Sequence, residues 1–256
     1  MKLAQVTHII ESVVPLQWQE AWDNSGLQIG DDNAEITSVL LAVDVTEDVL
    51  REAIERGCNL IVSHHPLLFH GLKQITRATS QERCVALAIR HDIAVYSLHT
   101  PIDKLLTGVS GKMAERCGIT DYRILAPDAG DTYGLGVIGQ LPQPVVFAEW
   151  LLMVKKAFNA PCLRYVQPVQ KEIQTVAFCG GAGGSLTDIA IQQQADVYVS
   201  ADFRYHDMLE AVGRIGIVDM DHWVSEQFVR EVLADMLQHH LPTYIAQCDK
   251  SPVQVI

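Results

Sequence analysis

The chain has 256 residues, 48% of them hydrophobic and 20% charged, with a formal net charge of −12. That length holds one large α/β domain or two smaller ones. No apolar run approaches the roughly 18 residues of a membrane span, and the acidic balance disfavours a broad nucleic-acid surface, which needs Lys and Arg to displace counterions. The six cysteines, Cys58, Cys84, Cys117, Cys162, Cys179 and Cys248, form no C-x-x-C pair. They read as reduced core residues of a cytoplasmic protein.

Residues 1–14 mix Lys2, Gln5, His8 and Glu11 into apolar positions, the pattern of an amphipathic helix stopped before Pro15 and not of a signal peptide. From Ile36 the chain alternates regularly. A buried strand over 36–46 precedes a helix over 47–57 that ends on Gly57, then a strand over 58–63, a helix over 80–92 and a strand over 93–99. Buried strands alternating with helices predict parallel β-α-β units, with functional groups at the strand C-terminal ends.

The order then recurs: strand 175–180, helix 186–194, strand 196–200, helix 205–214, strand 216–220 and a long helix over 224–240. Residues 57–70 lie over 194–207 without a gap, aligning Ser63 with Ser200. The third strand of each set ends in His-x-x-x-carboxylate, as His99–Asp103 and His222–Glu226. We therefore expect two similar α/β domains related by duplication, residues 1–125 and 126–256, with the metal site in the cleft between them. The Gly- and Asp-rich stretch 126-APDAGDTYGLG-136 is the expected seam, and the C-terminal segment is free to pack back on the first domain.

The chemistry-bearing residues gather at strand ends. In 63-SHHP-66 both imidazoles follow an apolar strand; adjacent side chains of a regular strand face opposite ways, but Pro66 ends the ladder and confines His65 to extended backbone. A histidine pair by itself reads more readily as a surface or capping feature than as a ligand pair. In 222-HWVSE-226, four-residue spacing on a helix puts His222 and Glu226 on one face, where they can grip one site or merely decorate a helix start. In 99-HTPID-103, Pro101 interrupts any helix; Asp103 is the better ligand candidate, while His99 orients it or caps the strand. Taken together, His64, His65, Asp103, His222 and Glu226 suit Zn, Fe, Mn or Ni better than Ca or Mg. Five ligands over-supply one tetrahedral ion. Two ions sharing a carboxylate, with open positions, satisfy the count and suit metal-activated hydrolysis.

The stretches 23-DNSGLQIG-30, 63-SHHPLLF-69, 99-HTPID-103, 179-CGGAGGS-185, 205-YHD-207 and 222-HWVSE-226 occur in an order that resembles the type-two GTP cyclohydrolase homologues, the Nif-three-like proteins. The resemblance spans Asp23 to Glu226. It implies two α/β domains, a toroidal homohexamer and a dinuclear metal centre in each subunit, held here by His64, His65, Asp103, His222 and Glu226. It further implies chemistry on a nucleotide-like substrate, with one related type associated with radiation protection and damaged nucleotides. Pro101, Ala201 and Asp221 depart from the family's usual Asn, Gly and Gly, beside ligands and not at them.

Three features stay open in both directions. The run 180-GGAGG-184 lies between a strand and a helix, where backbone N–H groups can cradle a phosphate or a tight turn can allow close packing. His206 is the candidate catalytic acid/base, or an inert helix-start residue. Asp23 and Asn24, before Ser25-Gly26, either close a turn over the site or cap one. The first functional reading is a hydrolase with two divalent metal ions per subunit acting on a nucleotide-like substrate. The second is a metal-bearing ring that binds nucleic acid or a regulatory protein without catalysis.

Overall fold

The computed structural model describes residues 1–128, 130 and 132–256. The chain divides into two units: Met1–Ile102 with Val229–Lys250, and Asp103–Phe228 with Ser251–Ile256.

In the first unit, helix α1 (Leu3–Val13) buries Leu3, Val6 and Ile10, one stripe at helical spacing. Then come β1 (Gly26–Ile29), β2 (Val39–Ala42), α2 (Glu47–Arg56), β3 (Leu60–Ser63), α3 (Ser80–Arg90) and β4 (Ala94–Ser97). Strands β2, β3 and β4 are parallel, with Leu40 beside Ile61 and Ile61 beside Val95. All their residues are buried, as parallel strands covered on both faces must be. Thr46 and Thr79 cap the helices, accepting from Val49 N and Glu82 N at 3.2 Å. Val49, Leu50 and Val85 pack with Leu40, Ile61 and Val95 as the core. Strand β1 runs antiparallel along β4, placing Gly26 opposite Ser97.

A single turn, α4 (Thr100–Asp103), leads into α5 (Val109–Arg116), β5 (Tyr122–Pro127), β6 (Gly134–Val146), α6 (Phe147–Ala157), β7 (Arg164–Val166), β8 (Glu172–Phe178), α7 (Thr187–Gln192), β9 (Val197–Ala201), α8 (Tyr205–Ala211), β10 (Gly216–Met220) and α9 (His222–Glu226). The second unit's sheet has the order β5-β6-β8-β9-β10-β7. Its strands feed two cores by alternation: Val197, Val199 and Val218 pack with Trp150 and Phe158, whereas Tyr198 and Ile217 pack with Phe203 and Ile215.

Finally α10 (Val229–Leu237) and β11 (Thr243–Ile245) rejoin the first unit. β11 lies parallel beside β2, completing the order β1-β4-β3-β2-β11. Beyond it the Asp249 carboxylate accepts from Val43 N at 2.6 Å and from Arg230 Nη1 at 3.4 Å.

Both units contain the same device: three parallel strands in chain order, β2-β3-β4 and β8-β9-β10, with an antiparallel strand on the third. The α/β class and the duplication are thus written in the topology. The contact division falls after Ile102, ahead of the expected seam at 125/126, and counts Asp103 with the second unit. At the ends of the stretch 126–136, Ala126 lies opposite Leu135 and Pro127 opposite Gly134 in the antiparallel pair β5–β6; Ala129 and Asp131 lie outside the described residues. The expected long helix over 224–240 is two helices. Gln227 Nε2 donates to Val224 O at 3.0 Å and to Phe158 O at 2.9 Å, occupying a carbonyl that a continuous helix would use. All six cysteines are free, and Cys58, Cys84, Cys117 and Cys179 are buried. Burial pushes the Cys117 and Cys179 thiols up to about 12, so neither ionises at neutral pH.

Glu52 ties α2 to the returning chain, accepting from Arg56 Nε at 2.8 Å, Gln247 N at 2.9 Å and Cys248 N at 3.0 Å. Burial pushes this carboxyl up, but those donors outweigh burial and hold it at about 2, below its ordinary 4.5. Its contribution to stability is therefore full above pH 4.5 and is lost as pH falls through about 2. Glu52→Gln should lower stability at pH 7, and urea titrations from pH 7 to 2 should show the gap to the parent closing across that acid window.

Candidate metal centre

In the first unit the ladder continues past β3. His64 N donates to Ala42 O at 3.1 Å and His65 N to Val43 O at 2.9 Å. Ser63 Oγ donates back to His65 O at 2.9 Å and lies 2.8 Å from Ser97 Oγ, so the chain turns at Pro66 instead of continuing as strand. The turn undoes the alternation that would part the two imidazoles. Their ring centroids lie 4.9 Å apart, and His99, just past β4, stands edge-on to them at 5.2 and 5.4 Å. One ring nitrogen from each of His64, His65 and His99 lies within 4.8 Å of the others.

Each of these rings has Nδ1 on an oxygen. His64 Nδ1 meets Leu98 O at 3.1 Å, His65 Nδ1 meets Asp44 Oδ1 at 2.8 Å, and His99 Nδ1 meets Asp23 Oδ1 at 2.9 Å. A carbonyl oxygen only accepts, and so does an ionised carboxylate, so Nδ1 is the protonated nitrogen and Nε2 carries the ring's lone pair when the ring is neutral. That arrangement of a second partner behind the imidazole is the one found behind metal-ligating histidines. The Asp23 side chain is fully covered. Burial pushes its carboxyl up, but hydrogen bonds from His99, Thr100 and Ser25 prevail and hold it well below the usual carboxylate range. Thr100 Oγ1 donates to it at 2.5 Å and Ser25 Oγ at 2.8 Å.

The second unit repeats the logic with carboxylates. His222 Nδ1 lies 2.7 Å from Asp202 Oδ2. Asp202 sits directly after β9 at φ +57°, a left-handed conformation that Asp tolerates better than most residues. Asp221 caps α9 by accepting from Val224 N at 3.1 Å. One turn on, Glu226 is only 3% exposed, and its Oε2 is 3.1 Å from His222 Nε2. With Nδ1 donating to Asp202, that approach sets an imidazole lone pair against a carboxylate. Only a cation satisfies both, either the proton of an imidazolium or a metal ion. Asp103 belongs to the same neighbourhood: burial chiefly raises the Cys179 thiol, and the charges of Asp103 and Glu226 raise it further.

The glycine run is resolved by the same geometry. Gly180 N, Gly181 N and Gly183 N donate to Ser110 Oγ, Ser225 Oγ and Ser200 Oγ at 3.3, 2.9 and 2.9 Å, so these amides are spent inside the protein and not on a phosphate. Gly181 has φ +63°, and a Cβ there would lie 2.2 Å from Glu226 Oε1. The run is a close-packing turn that leaves room for the carboxylate. Beside it opens a polar pocket of about 380 Å³ whose walls include Ala182, Ser185, Asp202, Arg204 and Asp207.

His64 and His65 thus gather in the first unit, and Asp103, His222 and Glu226 in the second. His99, read from sequence as an orienter or cap, instead joins His64 and His65. Its pairing with His222 in the repeated His-x-x-x-carboxylate pattern was the available signal. His206 is exposed at the start of α8 with its ring edge-on to Tyr205 at 5.3 Å. It belongs to neither histidine–carboxylate cluster among the described residues, and it does not line the pocket beside Asp202.

Fold and donors together define a duplicated α/β protein with histidine and carboxylate clusters suited to metal. The chain belongs to the Duf34/NIF3 (NGG1p interacting factor 3) family, whose profile matches residues 1–252. It is 36% identical to the "GTP cyclohydrolase 1 type 2 homolog" of Lactococcus lactis over 93% of this chain and 92% of that one. It is 32% identical to the protein of the same name from Campylobacter jejuni, over 99% of each. Among solved structures it is similar to the Staphylococcus aureus hypothetical protein SA1388, with a TM-score of 0.94 and 27% identity over 100% of this chain and 99% of that one. Among the described residues no helix is long and apolar enough to cross a membrane.

Gly181→Ala should force Glu226 aside and place Ala in the left-handed region, which costs about 1–2 kcal/mol before any clash. We expect a lower unfolding midpoint and weakened zinc binding by calorimetry, with Gly71→Ala, where a Cβ meets nothing within 4 Å, as the neutral control.

Proposed function

We propose that this chain is a metal-dependent hydrolase that holds two divalent transition-metal ions on His64, His65, Asp103, His222 and Glu226 and acts on a nucleotide-like substrate. The observation that carries the reading is the common state of the histidines. His64, His65 and His222 all have Nδ1 held by an oxygen, which directs Nε2 as the ligand atom. The facing of His222 Nε2 and Glu226 Oε2, which calls for a cation, supports it. The donor chemistry fits the ions: three imidazoles and two carboxylates suit Zn, Fe, Mn or Ni.

Bound there, such ions supply Lewis acidity toward a carbonyl or phosphoryl oxygen and make water a nucleophile near neutral pH. The chain does the positioning. Asp44 and Asp202 fix the His65 and His222 rings, and the Leu98 carbonyl fixes His64. Gly181 leaves the space in which Glu226 sits. His206, exposed to solvent, is the group we assign to proton exchange with the substrate. The nucleotide class rests on the names of the relatives, which are called homologues of GTP cyclohydrolase 1 type 2. A homohexameric ring is part of the same reading.

Elemental analysis of protein purified without chelator and reloaded should approach two equivalents of transition metal per chain; a plateau at one removes the dinuclear centre. Glu226→Ala should lose metal. His206→Ala should keep both ions while turnover of a nucleotide panel, read as formate or phosphate release, falls. Both variants should retain the parent's circular dichroism. Metal retained in both, with nucleotide turnover equal to the parent's, would remove the assigned roles, and a loaded parent that releases nothing would favour the non-catalytic ring.

Multi-angle light scattering across a wide concentration range should give a mass well above the 56.6 kDa of a dimer, twice the 28.3 kDa chain. A monomer throughout would dispose of the ring.

A further inference from the structure

Two large aromatic side chains stand in solvent at the rim of the three-histidine cluster. Trp22 is 59% exposed and Phe69 39%. Their ring centroids are 6.0 Å apart and the planes meet at 52°, so they form an open corner and not a closed stack. Both stand edge-on to His99, Trp22 at 5.7 Å and Phe69 at 6.2 Å. Neither belongs to the packed core of the first unit.

This corner is braced. The loops carrying the two rings are joined through the 23-DNSGLQIG-30 motif. Asn24 Nδ2 donates to Leu68 O at 2.7 Å, Leu68 N donates to Gln28 Oε1 at 3.1 Å, and Gln28 Nε2 donates back to Asn24 O at 2.7 Å. Asp23, between Trp22 and Asn24, is fixed in turn by His99, Thr100 and Ser25. This polar network ties the loop before β1 to the turn after β3 and holds the two exposed rings beside three imidazoles. Exposed apolar surface of this kind marks a contact site, and aromatic rings at such an angle accept a third ring face-on to one and edge-on to the other.

We infer that Trp22 and Phe69 form a clamp for the planar heteroaromatic ring of the substrate, seating the base at the rim while its polar substituents extend toward His64, His65 and His99. The inference rests on the proposed metal-dependent nucleotide chemistry for its choice of occupant, a purine-type base. It gives the Asp23–Gln28 motif two roles: its acidic end orients His99, and its amide side chains set the clamp.

The test compares GMP with ribose 5-phosphate, which lacks the base, by calorimetry on zinc-loaded protein. Base–aromatic stacking makes the expected preference for GMP roughly tenfold or more. Trp22→Ala should bring that ratio close to one, Phe69→Ala should reduce it, and Trp22→Phe should keep most of it. Affinity for ribose 5-phosphate and zinc content should be unchanged in all three. A ratio near one in the parent, no GMP binding at millimolar concentration, or a preference that survives both alanine variants overturns the clamp. A chelated protein that binds ribose 5-phosphate as well as the loaded one counts against the metal reading, while the ratio still judges the clamp by itself.

Discussion

The candidate centre depends on which nitrogen of each imidazole holds the proton. A histidine left to itself samples two tautomers and a free ring rotation, and a cluster of such rings has no fixed ligand field. Here four rings are each pinned through Nδ1, three by an aspartate and one by a backbone carbonyl. The pinning partners come from different places. Leu98 O lies just past β4, Asp44 just past β2, Asp202 just past β9, and Asp23 in the loop before β1. Strand register is therefore what sets the ring orientations. A one-residue slip in the β2–β3 ladder would part Asp44 from His65 and turn every side chain of the slipped strand to the opposite face.

The same dependence explains the unusual backbone around Glu226. A carboxylate that is 3% exposed needs both room and partners. The room comes from the absent side chain at Gly181. The rigidity comes from Ser225 Oγ, which accepts from Gly181 N at 2.9 Å and donates to His222 O at 2.7 Å, locking the first turn of α9 to the glycine turn. Ser200 does the equivalent on the other side, accepting from Gly183 N and donating to Gly181 O, each at 2.9 Å. Three small residues thus hold one acid.

Much of this was legible in the sequence. Val-, Ile- and Leu-rich runs bounded by capped helices foretold the parallel strands of both units, because strands buried on both faces have no polar alternative. The strand-end histidines followed from that. What stayed hidden was of three kinds. Strand β6 reads 134-GLGVIGQLPQPVV-146, and glycines and prolines disguise a strand whose pairing, and not its propensity, makes it one. The seam was hard to read because the Gly- and Asp-rich composition that marks a linker also borders the paired strands β5 and β6. The place of His99 beside His64 and His65 was hidden because its partner, Asp23, is 76 positions away, and no local spacing rule reaches so far. The helix break at Gln227 was invisible for a related reason, since a side chain bonding Phe158 O is a tertiary fact.

The return of β11 to β2 has a consequence for how this protein is made. Val43 and its buried partner Asp249 are 206 positions apart. On the ribosome, β2, β3 and β4 emerge early, yet the free edge of β2 has no neighbour until β11 (Thr243–Ile245) has been translated. At ordinary elongation rates of about 5–20 residues per second, that edge stays open for roughly ten to forty seconds. Unpaired, fully apolar strands are templates for pairing with other nascent chains. The second unit's sheet has all its strands by Met220 and can close first, although it begins later. Assembly thus runs against the order of synthesis, and the amino-terminal unit is finished last.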